Sequence, residues 1–186
     1  MKTVFFDIDT QIDFVYPAGA LYVPGAERIL PAIAELNRRA PLVISTMDAH
    51  SEDDPEFKIY PHHCVAGTTG QQKPGSLSLD QRATIPSAPE GVRQLVLEKQ
   101  QIDCFSNPHL RPLLATLGAE RYVVYGVVTE ICVRRAAFGL LETGKRVELV
   151  TDAVKALDQQ AADKMLREFT AAGGTLTKTQ QVLSGL

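Results

Sequence analysis

The chain has 186 residues, a formal net charge of -3 and ordinary apolar and charged fractions, which together describe a water-soluble globular protein. No basic stretch is present, so the sequence argues against a nucleic-acid partner. No apolar run reaches the roughly 18 residues that span a membrane. The first residues read as a strand and not as a secretory signal, and the three cysteines are odd in number and widely spaced. We therefore expect a reducing, cytoplasmic location.

Strand-like and helix-like segments alternate along the chain. Apolar runs bounded by turn residues predict strands at residues 2–8, 41–47, 92–99, 121–127, 146–154 and 175–178. Apolar residues at helical spacing predict helices at residues 25–40, 109–118, 130–144 and 158–174, the last capped by Asp158. The alternation predicts an α/β fold in three layers, with a doubly wound, mostly parallel sheet of six strands and helices on both faces.

Residues 49–91 interrupt this rhythm. The segment is rich in Pro, Gly, Ser, Asp and His and has little periodicity. A connection of this length within a compact domain usually carries function. We expect a single domain over residues 1–186, with an insertion at about 49–91 that carries part of the site.

Chemically active side chains follow several predicted strands. Asp9 comes after the first strand, Asp48 and His50 after the second, Lys99 after the third and Cys132 shortly after the fourth. In open α/β sheets, ligands bind at the carboxyl ends of the strands. We therefore expect these five side chains to lie on one edge of the sheet.

Cys132 has two interpretations. A cysteine on an apolar helix is usually an inert core residue. Cys132, however, lies in the first turn of its predicted helix, where free N–H groups and the helix dipole favour a thiolate. The tight turn "GVVTE" before it has backbone N–H groups that suit an oxyanion. A thiol, a carboxylate and a lysine on one edge favour nucleophilic amide hydrolysis.

A second group of residues has the composition of a metal site. Asp48 and His50 are one residue apart, so both face the same side of an extended segment, and His62 and His63 follow twelve residues later. An acid and two imidazoles suit zinc, iron or manganese. The alternative is an acidic surface loop that contains histidines. Cys64 is interpreted as structural.

Five motifs in order resemble the isochorismatase-like cysteine hydrolases, and within them most closely the nicotinamidases. In chain order they are "FFDIDTQIDF", "PAGALYVPGAERILPAI", "DAH" with "HCVAGTTG", "EKQQIDCFSNPHL" and "GVVTEICVRRAAFGLLETGKRVELVTDAV". The resemblance covers nearly the whole chain. One departure lies in the turn before the cysteine, where the aspartate usual in the family is Glu130 here.

The resemblance implies a catalytic triad of Asp9, Lys99 and Cys132. Asp9 is then the general base, Lys99 stabilises the thiolate, and the N–H groups of Val128 and Cys132 form the oxyanion hole. It also implies a cis peptide bond between Val127 and Val128. The implied reaction is nicotinamide hydrolysis to nicotinate and ammonia through a thioester.

The resemblance further implies one divalent metal ion, with zinc first and iron or manganese as alternatives. Its ligands match Asp48, His50 and His63. Glu56 is the first candidate for a fourth ligand, and Asp53 is the second. This choice of His63 over His62 comes from the resemblance alone. The expected substrate pocket is lined by Phe14, Tyr60, Val127 and Gln11. Family members also suggest a homo-oligomer.

Two other functions remain open from the sequence. The first is a related hydrolase that acts on another small amide, a ureido compound or a carbamoyl compound. The second is a non-catalytic binding protein on the same fold, since a fold does not determine function.

Overall fold

The computed structural model describes residues 2–186, and its seven strands form one parallel sheet. The strands are β1 (Thr3–Ile8), β2 (Val43–Asp48), β3 (Arg82–Thr84), β4 (Gln94–Lys99), β5 (Arg121–Val127), β6 (Arg146–Lys155) and β7 (Thr175–Thr177). Their spatial order is β3-β4-β2-β1-β5-β6-β7, and every neighbouring pair is parallel. The strand order reverses at β1, which places a ligand crevice at the carboxyl ends of β1 and β5.

Helices cover both faces of the sheet. They are α1 (Ile12–Val15), α2 (Leu30–Arg39), α3 (Leu110–Leu117), α4 (Arg134–Leu141), α5 (Gln159–Ala171) and α6 (Thr179–Ser184). Two apolar cores result, because side chains alternate across each strand: α2 and α6 pack on one face, and α3, α4 and α5 pack on the other. This confirms the predicted three-layer α/β fold. No helix within residues 2–186 has the length and apolar character needed to cross a bilayer.

The sheet has one strand more than the six that the sequence predicts. The additional strand, β3, lies at the sheet edge and is three residues long with exposed polar ends. Such a segment has no buried apolar face, so hydrophobic periodicity cannot detect it. The helices α1 and α6 were missed because 4 and 6 residues are too few to show helical periodicity. The predicted helix at 130–144 begins as a π-helical turn, Thr129–Val133, which continues into α4.

Part of the long segment after β2 returns to the carboxyl end of that strand. His50 N–H donates to the Cys64 carbonyl at 3.1 Å, and the His50 carbonyl accepts from Ala66 N–H at 2.9 Å. The carboxylate of Asp13 accepts from the N–H of Cys64 at 2.7 Å and from that of Ala20 at 3.0 Å. These contacts hold the segment that contains His63 beside His50.

Gly126 allows β5 to lie against β1 just before the cysteine turn. Its φ is +119°, and the pairing of β5 with β6 is irregular between Val124 and Gly126. A Cβ atom at this position would overlap the carbonyl oxygen of Ile8 in β1. Only glycine combines this backbone conformation with so close an approach.

We expect Gly126→Ala to lower the free energy of unfolding by about 3 kcal/mol or more, because it adds backbone strain to a clash with main-chain atoms. Denaturant unfolding measures this change. Gly75→Ala is the matched control, since a Cβ atom at Gly75 meets nothing within 4 Å. Equal stability of the two variants would contradict the prediction.

Candidate active site

Asp9, Lys99 and Cys132 meet at the carboxyl edge of the sheet. Asp9 directly follows β1, Lys99 ends β4, and Cys132 lies in the π-helical turn after β5. All three are buried, with exposures of 1%, 1% and 9%. Lys99 Nζ lies 2.9 Å from Asp9 Oδ2, and the Asp9 carboxylate is close enough to the Cys132 thiol to raise its pKa. The fold thus brings the three predicted side chains together.

The Asp9 carboxylate is held by β2. Asp9 has a positive φ of 49°, and its N–H donates to the Thr46 carbonyl at 3.2 Å. The Thr46 hydroxyl donates to Asp9 Oδ1 at 2.6 Å. The other oxygen, Oδ2, faces Lys99 and has no well-directed hydrogen-bond donor among residues 2–186. Beyond its ion pair with Lys99, Oδ2 therefore has a lone pair that can accept the proton of a thiol.

Burial and charge set the protonation of these groups. Burial raises the pKa of the Cys132 thiol well above its usual value; Lys99 opposes this shift, and the Asp9 carboxylate adds to it. Burial also opposes the charge of Lys99, but Asp9 and Asp48 outweigh it and hold the pKa of Lys99 well above its usual value. Burial therefore favours the neutral thiol, in opposition to the effect expected from the helix position. Nucleophilic attack then requires transfer of the thiol proton to Asp9.

The turn between β5 and Cys132 has the predicted cis peptide bond at Val127–Val128. The Val128 carbonyl accepts from the N–H of Ile131 at 3.0 Å and from that of Val133 at 3.1 Å. These two bonds close the turn around Cys132. The two N–H groups predicted as oxyanion donors belong to Val128 and Cys132, at the start of the turn and within it.

Asp48, His50 and His63 form a cluster with the composition of a metal site. Each offers one ligand atom, and these atoms lie within 4.8 Å of one another. All three side chains are buried. Glu56 adjoins the cluster, since its Oε1 lies 3.8 Å from His63 Nε2.

The hydrogen bonds around this cluster suit a divalent metal. His50 Nδ1 lies 2.9 Å from Asp54 Oδ2, and His63 Nδ1 lies 2.7 Å from the Pro61 carbonyl. These contacts leave each Nε2 with a free lone pair, as in most histidine metal ligands. His50 Nε2 is buried and has no hydrogen-bond partner within residues 2–186. Two imidazoles and a carboxylate suit zinc, iron or manganese.

The metal-type cluster and the cysteine site share a residue. The Lys99 ammonium contacts the Asp48 carboxylate as well as Asp9. Lys99 therefore balances two buried carboxylates, of which one faces the thiol and the other belongs to the metal-type cluster. The two groups that the sequence suggests separately form one continuous site.

Two residues that the sequence offered as alternative ligands, His62 and Asp53, lie outside the cluster. His62 is exposed, and its ring stacks on Phe57 with centroids 4.2 Å apart, whereas His63 is in the cluster. Asp53 is exposed, and its neighbour Asp54 is the residue that contacts His50 and accepts from Glu56 N–H at 2.9 Å. The sequence "DDPEF" contains a signal for Asp54, since an acid before proline often caps a helical turn.

A cavity in front of Cys132 is largely apolar. Phe14, Tyr60 and Val127 line it, as the sequence predicts. Sequence reasoning missed the other apolar lining residues, which are Leu21, Val23, Ile102, Ile131 and Leu157. These residues come from separate loops, and no local pattern marks them.

Gln11 was predicted to line the pocket, and this prediction is wrong. Gln11 is fully buried and lies outside the cavity lining. Its amide donates to the carbonyls of Asp48 and Gln71 at 2.8 Å each, and it accepts from Asp48 N–H at 2.7 Å. Because an amide can bond a backbone donor and a backbone acceptor together, Gln11 braces the main chain of Asp48.

The fold and the site describe a doubly wound α/β protein with a buried cysteine, carboxylate and lysine beside a histidine–aspartate cluster. A family model for the isochorismatase domain matches residues 3–181. The chain belongs to the isochorismatase family, which confirms the family resemblance stated from the sequence.

Three relatives illustrate the range of this family. The chain is 24% identical to a nicotinamidase from Acinetobacter baylyi, over 95% of this chain and 92% of that protein. It is 32% identical to a streptothricin hydrolase from Streptomyces noursei, over 89% of this chain and 54% of that protein. The crystal structure of a pyrazinamidase of Pyrococcus horikoshii in complex with zinc has a TM-score of 0.81 and 28% identity, and covers 96% of this chain and 99% of that one.

Proposed function

We propose that this protein is a metal-containing cysteine amidohydrolase that converts nicotinamide and water to nicotinate and ammonia. The observation that carries the proposal is the position of Lys99, which contacts both Asp9 and Asp48. Lys99 thus connects the cysteine site to the metal-type cluster. Cys132, Asp48 and His63 all line the same largely apolar cavity. The nicotinamidase and pyrazinamidase relatives support this reaction.

In the proposed reaction, Asp9 takes the proton of the Cys132 thiol as Sγ attacks the carboxamide carbon. The negative charge that develops on the carbonyl oxygen is stabilised by the N–H groups of Val128 and Cys132. Asp9 then gives its proton to the amide nitrogen, the C–N bond breaks, and ammonia leaves. The acyl group remains on Sγ as a thioester.

Water completes the cycle. Asp9, now ionised, accepts a proton from a water molecule that attacks the thioester carbon, and the C–S bond breaks. Nicotinic acid leaves and loses its acidic proton to solvent to become nicotinate, and the proton held by Asp9 returns to the Cys132 sulfur. Lys99 remains protonated throughout and stabilises whichever of its neighbours carries negative charge.

Asp48, His50 and His63 are the proposed ligands of the metal, and Glu56 is the proposed fourth. When bound, a divalent metal supplies an electrophilic centre that holds a ring nitrogen of the substrate. The zinc complex of the Pyrococcus horikoshii pyrazinamidase supports this assignment. Phe14 and Tyr60 are proposed as aromatic walls beside the substrate ring, since their ring centroids lie 5.4 and 6.4 Å from that of His63.

Ammonia release from a panel of amides tests the proposed function. We expect the zinc-loaded protein to hydrolyse nicotinamide and pyrazinamide, and to leave benzamide, which lacks a ring nitrogen, largely uncleaved. No turnover of nicotinamide by protein loaded with zinc, iron or manganese would contradict the proposal. Equal turnover of benzamide would contradict the proposed role of the metal.

A second candidate is hydrolysis of another small amide, a ureido compound or a carbamoyl compound. The aliphatic lining by Ile102, Ile131 and Leu157 favours it, because these side chains do not require an aromatic substrate. The similarity to a streptothricin hydrolase also supports it. Hydrolysis of carbamoyl compounds by metal-free protein would favour this candidate over the first.

Several expectations about the wider setting stay predictions. They are the single-domain organisation, a homo-oligomer, a cytoplasmic location and a place in the recycling of nicotinamide to NAD. We propose them together with the activity, and none of them is needed for the chemistry above.

A further inference from the structure

Glu130 connects the cysteine turn to the loop after β6. One of its carboxylate oxygens, Oε1, accepts from Leu157 N–H at 2.9 Å and from Asp158 N–H at 2.7 Å. Two donors on one carboxylate oxygen form charge-assisted hydrogen bonds, which are stronger than neutral ones. Glu130 therefore joins the cysteine turn to the loop after β6, whose residues Leu157 and Asp158 follow it by 27 and 28 positions in the sequence.

Both of these loops contribute to the cavity in front of Cys132. Ile131, next to Glu130, lines the cavity from the cysteine turn, and Leu157 lines it from the loop after β6. Leu157 is also 51% exposed. A residue that lines a cavity and is half exposed lies at the opening of that cavity.

Glu130 restrains the main chain of the loop at Leu157. The Leu157 side chain is half exposed, and its own N–H and that of Asp158 are both bonded to Glu130. The other Glu130 oxygen, Oε2, is buried without a hydrogen-bond partner within residues 2–186. Burying an oxygen without a partner costs free energy, and the two charge-assisted bonds of Oε1 offset that cost.

We propose that Leu157 limits the width of the substrate entrance and that Glu130 is the positioning residue that holds it there. This inference rests on the proposed function, since it concerns the same cavity. It implies a preference for small, flat amides over amides with a bulky substituent.

Alkylation of Cys132 tests the inference without any turnover. Iodoacetamide and its N-phenyl derivative share the same reactive carbon and differ in bulk, so the ratio of their rates reports on the width of the entrance. Peptide mass spectrometry measures each rate at Cys132. We expect Leu157→Ala to raise the bulky-to-small ratio about fivefold or more, because it removes three carbon atoms from the cavity wall and one methylene in a pocket is already worth about tenfold in discrimination.

Three further variants test whether Glu130 acts by positioning Leu157. Glu130→Ala is expected to raise the ratio as Leu157→Ala does, and the double variant is expected to show no further increase. Glu130→Gln is expected to keep the wild-type ratio, because it retains one accepting oxygen and places its NH2 group where the unpartnered Oε2 lies. Steady-state kinetics adds a second readout, in which the KM for nicotinamide is expected to rise about fivefold in both alanine variants, because each weakens the same wall of the substrate entrance.

Two controls exclude a general loss of structure. Leu176→Ala removes a leucine that is 41% exposed and lies in the edge strand β7. Asp158→Ala removes the N-cap of α5, whose carboxylate accepts from Gln160 N–H and Ala161 N–H, while keeping both N–H donors to Glu130. Both controls are expected to show the wild-type ratio.

The inference is overturned if Leu157→Ala leaves the ratio unchanged, or if Glu130→Ala leaves it unchanged while Leu157→Ala raises it. It is also overturned if Asp158→Ala raises the ratio as much as Glu130→Ala. The labelling ratio needs no hydrolysis, so a failure to hydrolyse nicotinamide would count against the proposed function alone.

Discussion

Cys132→Ala is expected to lower kcat for nicotinamide by about 10⁴-fold or more, because no thioester can form without the thiol. A loss of this size corresponds to about 5.5 kcal/mol of transition-state stabilisation. The rest of the site keeps its charge balance, since Asp9, Lys99 and Asp48 stay in place. Continuous measurement of ammonia release gives kcat and KM. We expect KM to change little, because the cavity and the metal-type cluster are untouched.

Cys104→Ala is the matched control for this variant. Cys104 is also a buried thiol, with 2% exposure, and burial raises its pKa to about 12. It lies outside the cavity lining. We expect its kcat to stay within about threefold of the wild-type value, as for a surrounding residue that does not take part in the chemistry. Full activity of Cys132→Ala, or an equal loss in both variants, would exclude Cys132 as the nucleophile.

His63→Ala is expected to reduce the metal content of the purified protein to well below one ion per chain. We expect kcat/KM for nicotinamide to fall by about 100-fold or more, because loss of an outer-shell partner alone commonly costs 10–100-fold and this change removes a proposed ligand itself. Elemental analysis measures the metal, and ammonia release measures the activity. Prolonged dialysis of wild-type protein against a chelator is expected to reproduce the loss, and added zinc is expected to reverse it.

His62→Ala provides the matched control, because it removes a histidine that is adjacent in sequence and exposed. Its ring stacks on Phe57 and does not belong to the cluster of Asp48, His50 and His63. We expect its metal content and kcat/KM to be those of the wild type. Equal metal loss in the His62→Ala and His63→Ala variants would contradict the assignment of His63 as a ligand.

Much of the site was predictable because a parallel sheet gathers the ends of its strands. Asp9, Asp48 and Lys99 each follow or end a buried apolar run that the pattern identifies as a strand. Once the runs are assigned to one parallel sheet, their carboxyl ends must lie on one edge. The contact of Lys99 with both carboxylates agrees with this reasoning.

Other features were not predictable because they depend on how loops fold back over the sheet. Gln11 follows a strand as Asp9 does, yet its amide turns toward the main chain of Asp48 and Gln71. Asp53 and Asp54 are adjacent aspartates, and only the path of the loop decides that Asp54 contacts His50. The resting protonation of Cys132 likewise depends on burial, which the helix position does not reveal.

The amino-acid sequence by itself determined the α/β class, the edge on which the site lies and the residue types available for chemistry, because hydrophobic periodicity is a local property of the chain. The tertiary structure alone decided the seventh strand, the role of Gln11 and the position of Leu157 at the entrance. These depend on hydrogen bonds between residues far apart in sequence, such as those of Glu130 with the loop after β6. No periodic pattern encodes a contact of that kind, since it forms only when both loops are in place.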